Sequence, residues 1–182
     1  MSITYTIKRV DNLSELEIAT ILKHWDIDEW KALPINAFRQ LFKQSEFHLL
    51  TDTDAAIRCL ARINFDFTIS IDNELYTIAE LVGLVATAPG KGYGRNLLSL
   101  IQENVKSRNI NLISFCEAAN RGFYQKCGIL ILLNKAKHLR EPDKDEWLVP
   151  ADDDILAINL SERNVNLLNS LNPEKLGYLV FS

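Results

Sequence analysis

Polar and apolar residues alternate from Thr4 to Val10 with the period of a half-buried strand, and the run Asp11-Asn-Leu-Ser that follows carries turn and helix-capping side chains. Leu16, Ile18, Ile21, Leu22 and Trp25 then recur at helical spacing, and after Pro34 a second helical pattern carries Phe38, Leu41 and Phe42. From Glu46 to Val85 the period returns to that of strands. Phe47-His-Leu-Leu, Ile57-Arg-Cys-Leu-Ala-Arg-Ile and Phe65-Asp-Phe-Thr-Ile-Ser-Ile read as an antiparallel meander with turn chemistry at Asp52-Thr-Asp and Asp72-Asn-Glu. The meander is expected to feed a last strand from Tyr76 to Val85.

Beyond a glycine-rich turn, Leu97, Leu98, Ile101 and Val105 form the apolar stripe of an amphipathic helix. Asn109 to Cys116 is a nearly continuous apolar run, as in a strand covered on both faces. A short helical segment from Arg121 to Lys126, a stop at Gly128 and a strand from Ile129 to Leu133 follow. A charged loop from Lys135 to Glu146 leads to expected strands at Trp147-Leu-Val and Ile155 to Leu160. The last segment, with Val165, Leu167, Leu168 and Leu171 and then Gly177-Tyr-Leu-Val-Phe, offers itself for pairing with a second copy, so that a homodimer is one expectation. The order of elements predicts a mixed α/β fold in a single domain over residues 1–182, with no internal repeat.

Composition narrows the class. Close to half of the 182 residues are apolar, enough for one sizeable core. No stretch approaches the length of a membrane span, and the alternating N-terminus lacks a signal-peptide core, so the sequence predicts a cytoplasmic protein with no membrane partner. The net charge of -4 is mild and scattered, and no basic stripe interleaves with aromatics, which argues against nucleic acid. Cys59, Cys116 and Cys127 have neither metal-ligand spacing nor an even count and read as reduced core thiols, and no metal site is expected.

The candidate chemistry lies in Val85-Ala-Thr-Ala-Pro-Gly-Lys-Gly-Tyr-Gly-Arg95. Glycines at alternate positions between a strand and a helix let successive backbone N–H groups converge, and the helix N-terminus adds partial positive charge. A pyrophosphate is the natural guest, with Lys91 and Arg95 as direct counter-charges. The same turn would also serve as a plain strand-to-helix connection. Its spacing fits neither the dinucleotide fingerprint G-x-G-x-x-G nor a Walker loop, since Gly94 is followed by Arg-Asn.

The run Leu84 to Leu98 resembles the acetyl-CoA motif of the GNAT N-acetyltransferase superfamily, and Asn120-Arg-Gly-Phe-Tyr-Gln-Lys-Cys-Gly-Ile resembles that superfamily's second motif. The resemblance implies a mostly antiparallel sheet of six to seven strands, splayed at the cofactor site and flanked by helices. It also implies an activity: transfer of an acetyl group from acetyl-CoA (coenzyme A) to a primary amine by direct attack on the thioester. Cofactor contacts are implied at Leu84, Val85, Ala86, Pro89, Gly90, Lys91, Gly92, Tyr93, Gly94, Arg95 and Asn120, with a backbone N–H near Leu84 or Val85 facing the developing oxyanion. Tyr124 is the implied general acid, or else packs on the pantetheine arm. Glu80, which shares a strand face with Val82 and Leu84, is the candidate base. Three positions depart from the family pattern: Pro89 stands where Gln or Arg is usual, which removes a backbone donor, Glu117 where Asn is common and Asn120 where Ala is common. A catalytically silent module of the same fold, binding acyl-CoA or a protein partner, is the alternative.

For the acceptor, Trp25, Asp28, Glu29 and Trp30 set aromatics beside carboxylates, a combination repeated in Glu141-Pro-Asp-Lys-Asp-Glu-Trp147 with Asp152-Asp-Asp154. Such surroundings favour a small cationic amine. The layout after the second motif is faintly similar to aminoglycoside N-acetyltransferases; a polyamine, an amino sugar or a peptide N-terminus satisfies the same electrostatics.

Overall fold

A computed structural model describes residues 2–142 and 151–180. In chain order its elements are β1 (Thr4–Arg9), α1 (Glu15–Trp25), α2 (Ile35–Leu41), β2 (Ser45–Thr51), β3 (Ile57–Asn64), β4 (Thr68–Ile71), β5 (Glu74–Thr77), β6 (Ala79–Ala86), α3 (Tyr93–Ser107), β7 (Leu112–Cys116), α4 (Arg121–Lys126), β8 (Leu130–Leu132), β9 (Leu139–Arg140), β10 (Asp154–Asn159), α5 (Glu162–Asn169) and β11 (Gly177–Val180). The fold is mixed α/β: seven strands are hydrogen-bonded in the order β1-β2-β3-β6-β7-β10-β8 and four more in the order β5-β4-β11-β9. The expected strand at Trp147-Leu-Val and the end of the charged loop before it lie outside the described residues. Contacts divide the chain into two compact units, Met1–Asn64 with Leu81–Ile101 and Phe65–Glu80 with Gln102–Ser182, so that β6 contributes to both.

In the first unit, Ser14 starts α1 with a reciprocal cap. Its hydroxyl accepts from the Glu17 N–H at 3.2 Å, and the Glu17 carboxylate accepts from the Ser14 N–H at 2.8 Å. Ile18 and Ile21 turn inward and join Phe38, Phe47, Leu49 and Leu60 in one core cluster. Two leucines counted in the sequence patterns face out instead: Leu16 is 78% and Leu41 55% exposed. At 100° per residue Leu16 lies 140° or more from both Ile18 and Ile21, so it cannot share their face. The strands β1, β2 and β3 form an antiparallel meander, Thr4↔Thr51 to Arg9↔Glu46 and then Ser45↔Asn64 onward. β2 is buried along nearly its whole length.

The second unit corrects the expected continuous strand from Tyr76 to Val85. Asp72 and Asn73 both take left-handed backbone angles, φ 53° and 63°, and close a two-residue hairpin between β4 and β5. The chain then breaks at Ile78, a buried residue whose N–H donates to the Phe67 carbonyl, and resumes as β6. The hairpin therefore belongs to the four-stranded sheet. That sheet also settles the C-terminal segment: β11 pairs with β4 on one edge and with β9 on the other, while Leu168, Leu171 and Leu179 enter the unit's own core. The pairing expected with a second copy is made within the chain, because both edges of β11 are occupied. The apolar run expected as a strand from Asn109 starts only at Leu112, since Asn109 adopts φ 53° in the turn that ends α3.

Candidate active site

In the first unit β6 runs into the glycine turn and α3. The turn is anchored at its start, where the Thr87 N–H donates to the Arg58 carbonyl at 3.0 Å and the Thr87 hydroxyl donates to the Ile57 carbonyl at 3.0 Å. Arg58 is itself held by the buried Asp52, its Nε donating at 2.7 Å. Gly90 and Gly92 take φ 75° and 77°, and a Cβ at either would meet nothing within 4 Å. The open space over those two positions is thus a cradle that side chains would fill. The first intrahelical bond of α3 runs from the Asn96 N–H to the Gly92 carbonyl, so the preceding N–H groups have no helical acceptor. No acidic residue stands in that first turn. Lys91 and Arg95 are exposed and, among the described residues, make no ion pair. Backbone donors, open space and two uncommitted cations fit a diphosphate. Pro89, exposed at the apex, has no N–H to add.

One position in β6 was not singled out from the sequence. Gly83 has φ 65° in mid-strand, and a Cβ there would stand 2.2 Å from the Trp25 indole nitrogen. The indole N–H donates to the Gly83 carbonyl at 3.0 Å. A lone glycine inside a strand pattern is the local signal for such a break. It reorients the backbone directly ahead of Leu84, Val85 and Ala86, all partly exposed. The tryptophans also have a structural role. Trp25 packs against Phe42 and Phe47 at 5.6 and 6.1 Å, and Trp30 against Phe42 at 5.2 Å, so both rings help to build the core. The acidic run is likewise less acidic than it reads. Lys31 binds Asp28 at 2.5 Å and Asp26 at 3.1 Å, a counter-charge that comes one helical turn after Asp28; Glu29 is exposed.

The second unit positions Tyr124. α4 is only six residues long, and Asn120 at its start makes no side-chain cap. The Arg121 guanidinium supplies the missing anchor: Nε donates to Asp154 Oδ2 at 2.5 Å and Nη2 to Oδ1 at 2.9 Å. Asp154 is fully buried, opposite Cys116 in the β10–β7 register, and also accepts from the Asn134 N–H at 2.8 Å. Burial works to raise the Asp154 pKa, but these hydrogen bonds outweigh it and hold the carboxyl below its usual range. Tyr124, one turn after Arg121, is largely buried, and burial together with the charges of Cys116, Asp152 and Cys127 pushes its hydroxyl up to about 12. Burial and the carboxylates Asp154 and Asp152 push the Cys116 thiol up to about 11. Asp152, partly buried and facing Glu117 and Asp153, is raised from 3.8 to about 6, chiefly by burial. Glu80 lies elsewhere in this unit. β6 pairs with β7 only at Ala79↔Leu112 and Glu80↔Ile113, and Cys116 stands three residues beyond Ile113, roughly 10 Å along the strand. Among the described residues no group of three or more His, Cys, Asp or Glu is arranged to hold a metal ion, and no helix is long and apolar enough to cross a membrane.

No family model and no curated protein sequence matches the chain. Solved structures do. A GNAT family N-acetyltransferase (YhbS) from Escherichia coli in complex with CoA superposes with a TM-score of 0.62 at 12% identity, over 99% of this chain and 89% of that one. An acyl-CoA N-acyltransferase from Pseudomonas aeruginosa gives 0.57 at 14% identity, over 85% and 99%. A bacterial toxin gives 0.56 at 13% identity, over 94% and 97%. At such identities the likeness is one of architecture, and it agrees with the element order derived above: the chain has the fold of the GNAT acyl-CoA N-acyltransferases.

Proposed function

We propose that the protein is an N-acetyltransferase of one domain that moves an acetyl group from acetyl-CoA to the primary amine of a small cationic molecule. The observation that carries this reading is the glycine turn: open space over Gly90 and Gly92, free helix N–H groups and the uncommitted cations Lys91 and Arg95 suit the diphosphate of the cofactor. Acetyl-CoA supplies a thioester activated toward amines. Leu84 and Val85, following the break at Gly83, offer a backbone N–H to the developing oxyanion.

Tyr124 serves the departing sulfur. A hydroxyl pushed up to about 12 stays protonated throughout the neutral range. It holds its proton about 3.5 pKa units more tightly than an ordinary thiol near 8.5, so outright transfer to a thiolate is uphill by roughly 5 kcal/mol. Tyr124 therefore acts as a hydrogen-bond donor that passes its proton to sulfur only as it takes the one leaving nitrogen. Glu80 is the base nominated from the sequence. The test is release of free thiol from acetyl-CoA with a panel of spermidine, glucosamine and a peptide N-terminus, repeated with Tyr124→Phe. Transfer to one of them that falls in the variant is the expected result. Binding of acetyl-CoA with no thiol release from any amine would favour the silent module, for which the loss of a donor at Pro89 speaks.

A further inference from the structure

We propose that Trp25 is a positioning residue for acetyl transfer: by holding the Gly83 carbonyl, its indole N–H aims the Leu84 N–H at the thioester carbonyl. This rests on the acetyl-transfer reading above.

The peptide between Gly83 and Leu84 is trans, so its C=O and N–H point in opposite directions in one rigid plane. A hydrogen bond that fixes one therefore fixes the other. The Gly83 carbonyl accepts from the Trp25 indole at 3.0 Å, which turns the Leu84 N–H away from the ring. With φ 65° at Gly83 the chain leaves strand geometry at this point, and a Cβ there would overlap the indole nitrogen. The glycine and the tryptophan form one fitted pair, and both lie in the first unit together with the glycine turn.

Both partners are themselves held. Trp25 is the last residue of α1, a helix closed by Asp26, whose φ is 51° and whose N–H donates to the Leu22 carbonyl at 3.1 Å. Its ring lies among those of Trp30, Phe42 and Phe47, at 5.7, 5.6 and 6.1 Å between centroids, so packing sets where the N–H points. On the strand, Val85 packs against the same core cluster, and Thr87 is tied to the carbonyls of Arg58 and Ile57. Leu84 therefore sits between a carbonyl held by a side chain and a side chain held in the core. An aromatic ring of another kind would serve the packing at position 25; the N–H is what a tryptophan adds. A backbone donor fixed before the reaction needs no reorganisation as charge builds on the thioester oxygen.

Two variants test this. Trp25→Phe keeps an aromatic ring and loses the N–H; benzothienylalanine at position 25 also keeps the ring shape and puts sulfur where the N–H was. Thermal stabilisation of the wild type by acetyl-CoA comes first, and its absence overturns the acetyl-transfer reading and this proposal with it. With binding present, infrared difference spectra of acetyl-CoA labelled with carbon-13 at the acetyl carbonyl read the hydrogen bond without turnover. The carbonyl band should lie below its free position in the wild type and move back toward it in both variants. In the same variants kcat should fall about 10-fold with the KM for acetyl-CoA unchanged. A tryptophan that only packs would lower the melting temperature and leave band and kcat in place; that result overturns the proposal and spares the reading. A KM for the amine that rises while kcat holds overturns it too, and assigns Trp25 to acceptor binding. Should Trp25→Phe not fold, the benzothienylalanine protein, with its core unchanged in shape, carries both measurements.

Discussion

The glycine turn and the Tyr124 region are built by opposite means. The turn is made of backbone: two glycines with φ near 75°, a helix start whose first N–H groups have no helical acceptor, and side chains that only add charge at the rim. The Tyr124 region is made of side chains brought together from α4, β7 and the start of β10, and tied by an ion pair between the buried Asp154 and the partly exposed Arg121. A backbone site tolerates changes of rim side chains but not the addition of a Cβ. A side-chain site is sensitive to each partner, and its burial and repulsion are what tune its proton affinities.

The contrast is sharpest between glycines of the same strand-turn unit. Gly83→Ala should be the most damaging change, because its Cβ meets the Trp25 indole at 2.2 Å and its φ is 65°. A loss of about 3 kcal/mol is expected in urea unfolding, from backbone strain together with the lost bond to the Gly83 carbonyl. Tyr124→Phe, by contrast, should leave stability and acetyl-CoA affinity within a few-fold and lower kcat by about 100-fold. A kcat that stays while the KM for acetyl-CoA rises would assign Tyr124 to packing on the pantetheine arm. Gly92→Ala clashes with nothing in the protein, so it should cost about 1 kcal/mol of stability from its left-handed φ yet weaken acetyl-CoA binding about 10-fold, read by calorimetry.

The smallest effect has the opposite sign. Asp152 is raised from 3.8 to about 6, so between about pH 4 and 6 the folded chain keeps a proton that the unfolded chain has released. Its contribution to stability is therefore present below pH 4 and lost as pH rises through 6. Asp152→Asn should stabilise the protein at pH 7 by about 1 kcal/mol, the full shift being discounted because the group is half-exposed, and the gain should disappear below pH 4. Equal stability of the two proteins across that range would show that the carboxylate is not strained by its setting.

How much could be read in advance follows from the same contrast. The turn was legible because alternate glycines after an apolar run are a local signal, and Ser14, the stripe Leu97 to Val105 and the helix Arg121 to Lys126 were legible for the same reason. Gly83 carried a local signal that went unread. Asp152 carried none, since what tunes it is chiefly burial and then the charge of Glu117, distant in sequence. The surroundings of the tryptophans and acids at 25–30 were hidden for a related reason: spacing shows residue types but not that Trp25 bonds to the Gly83 carbonyl or that Lys31 pairs with Asp28. The split of Tyr76 to Val85 between two sheets was hidden because both pieces carry the same strand pattern.

The most direct test of the central claim is thermal unfolding of the wild-type protein against rising acetyl-CoA. Stabilisation that grows with the logarithm of ligand concentration, reaching about 2.7 kcal/mol at a hundred times the Kd, is the expected result, with Gly92→Ala needing about ten times more ligand for the same shift. An unfolding midpoint unmoved at millimolar acetyl-CoA would contradict it.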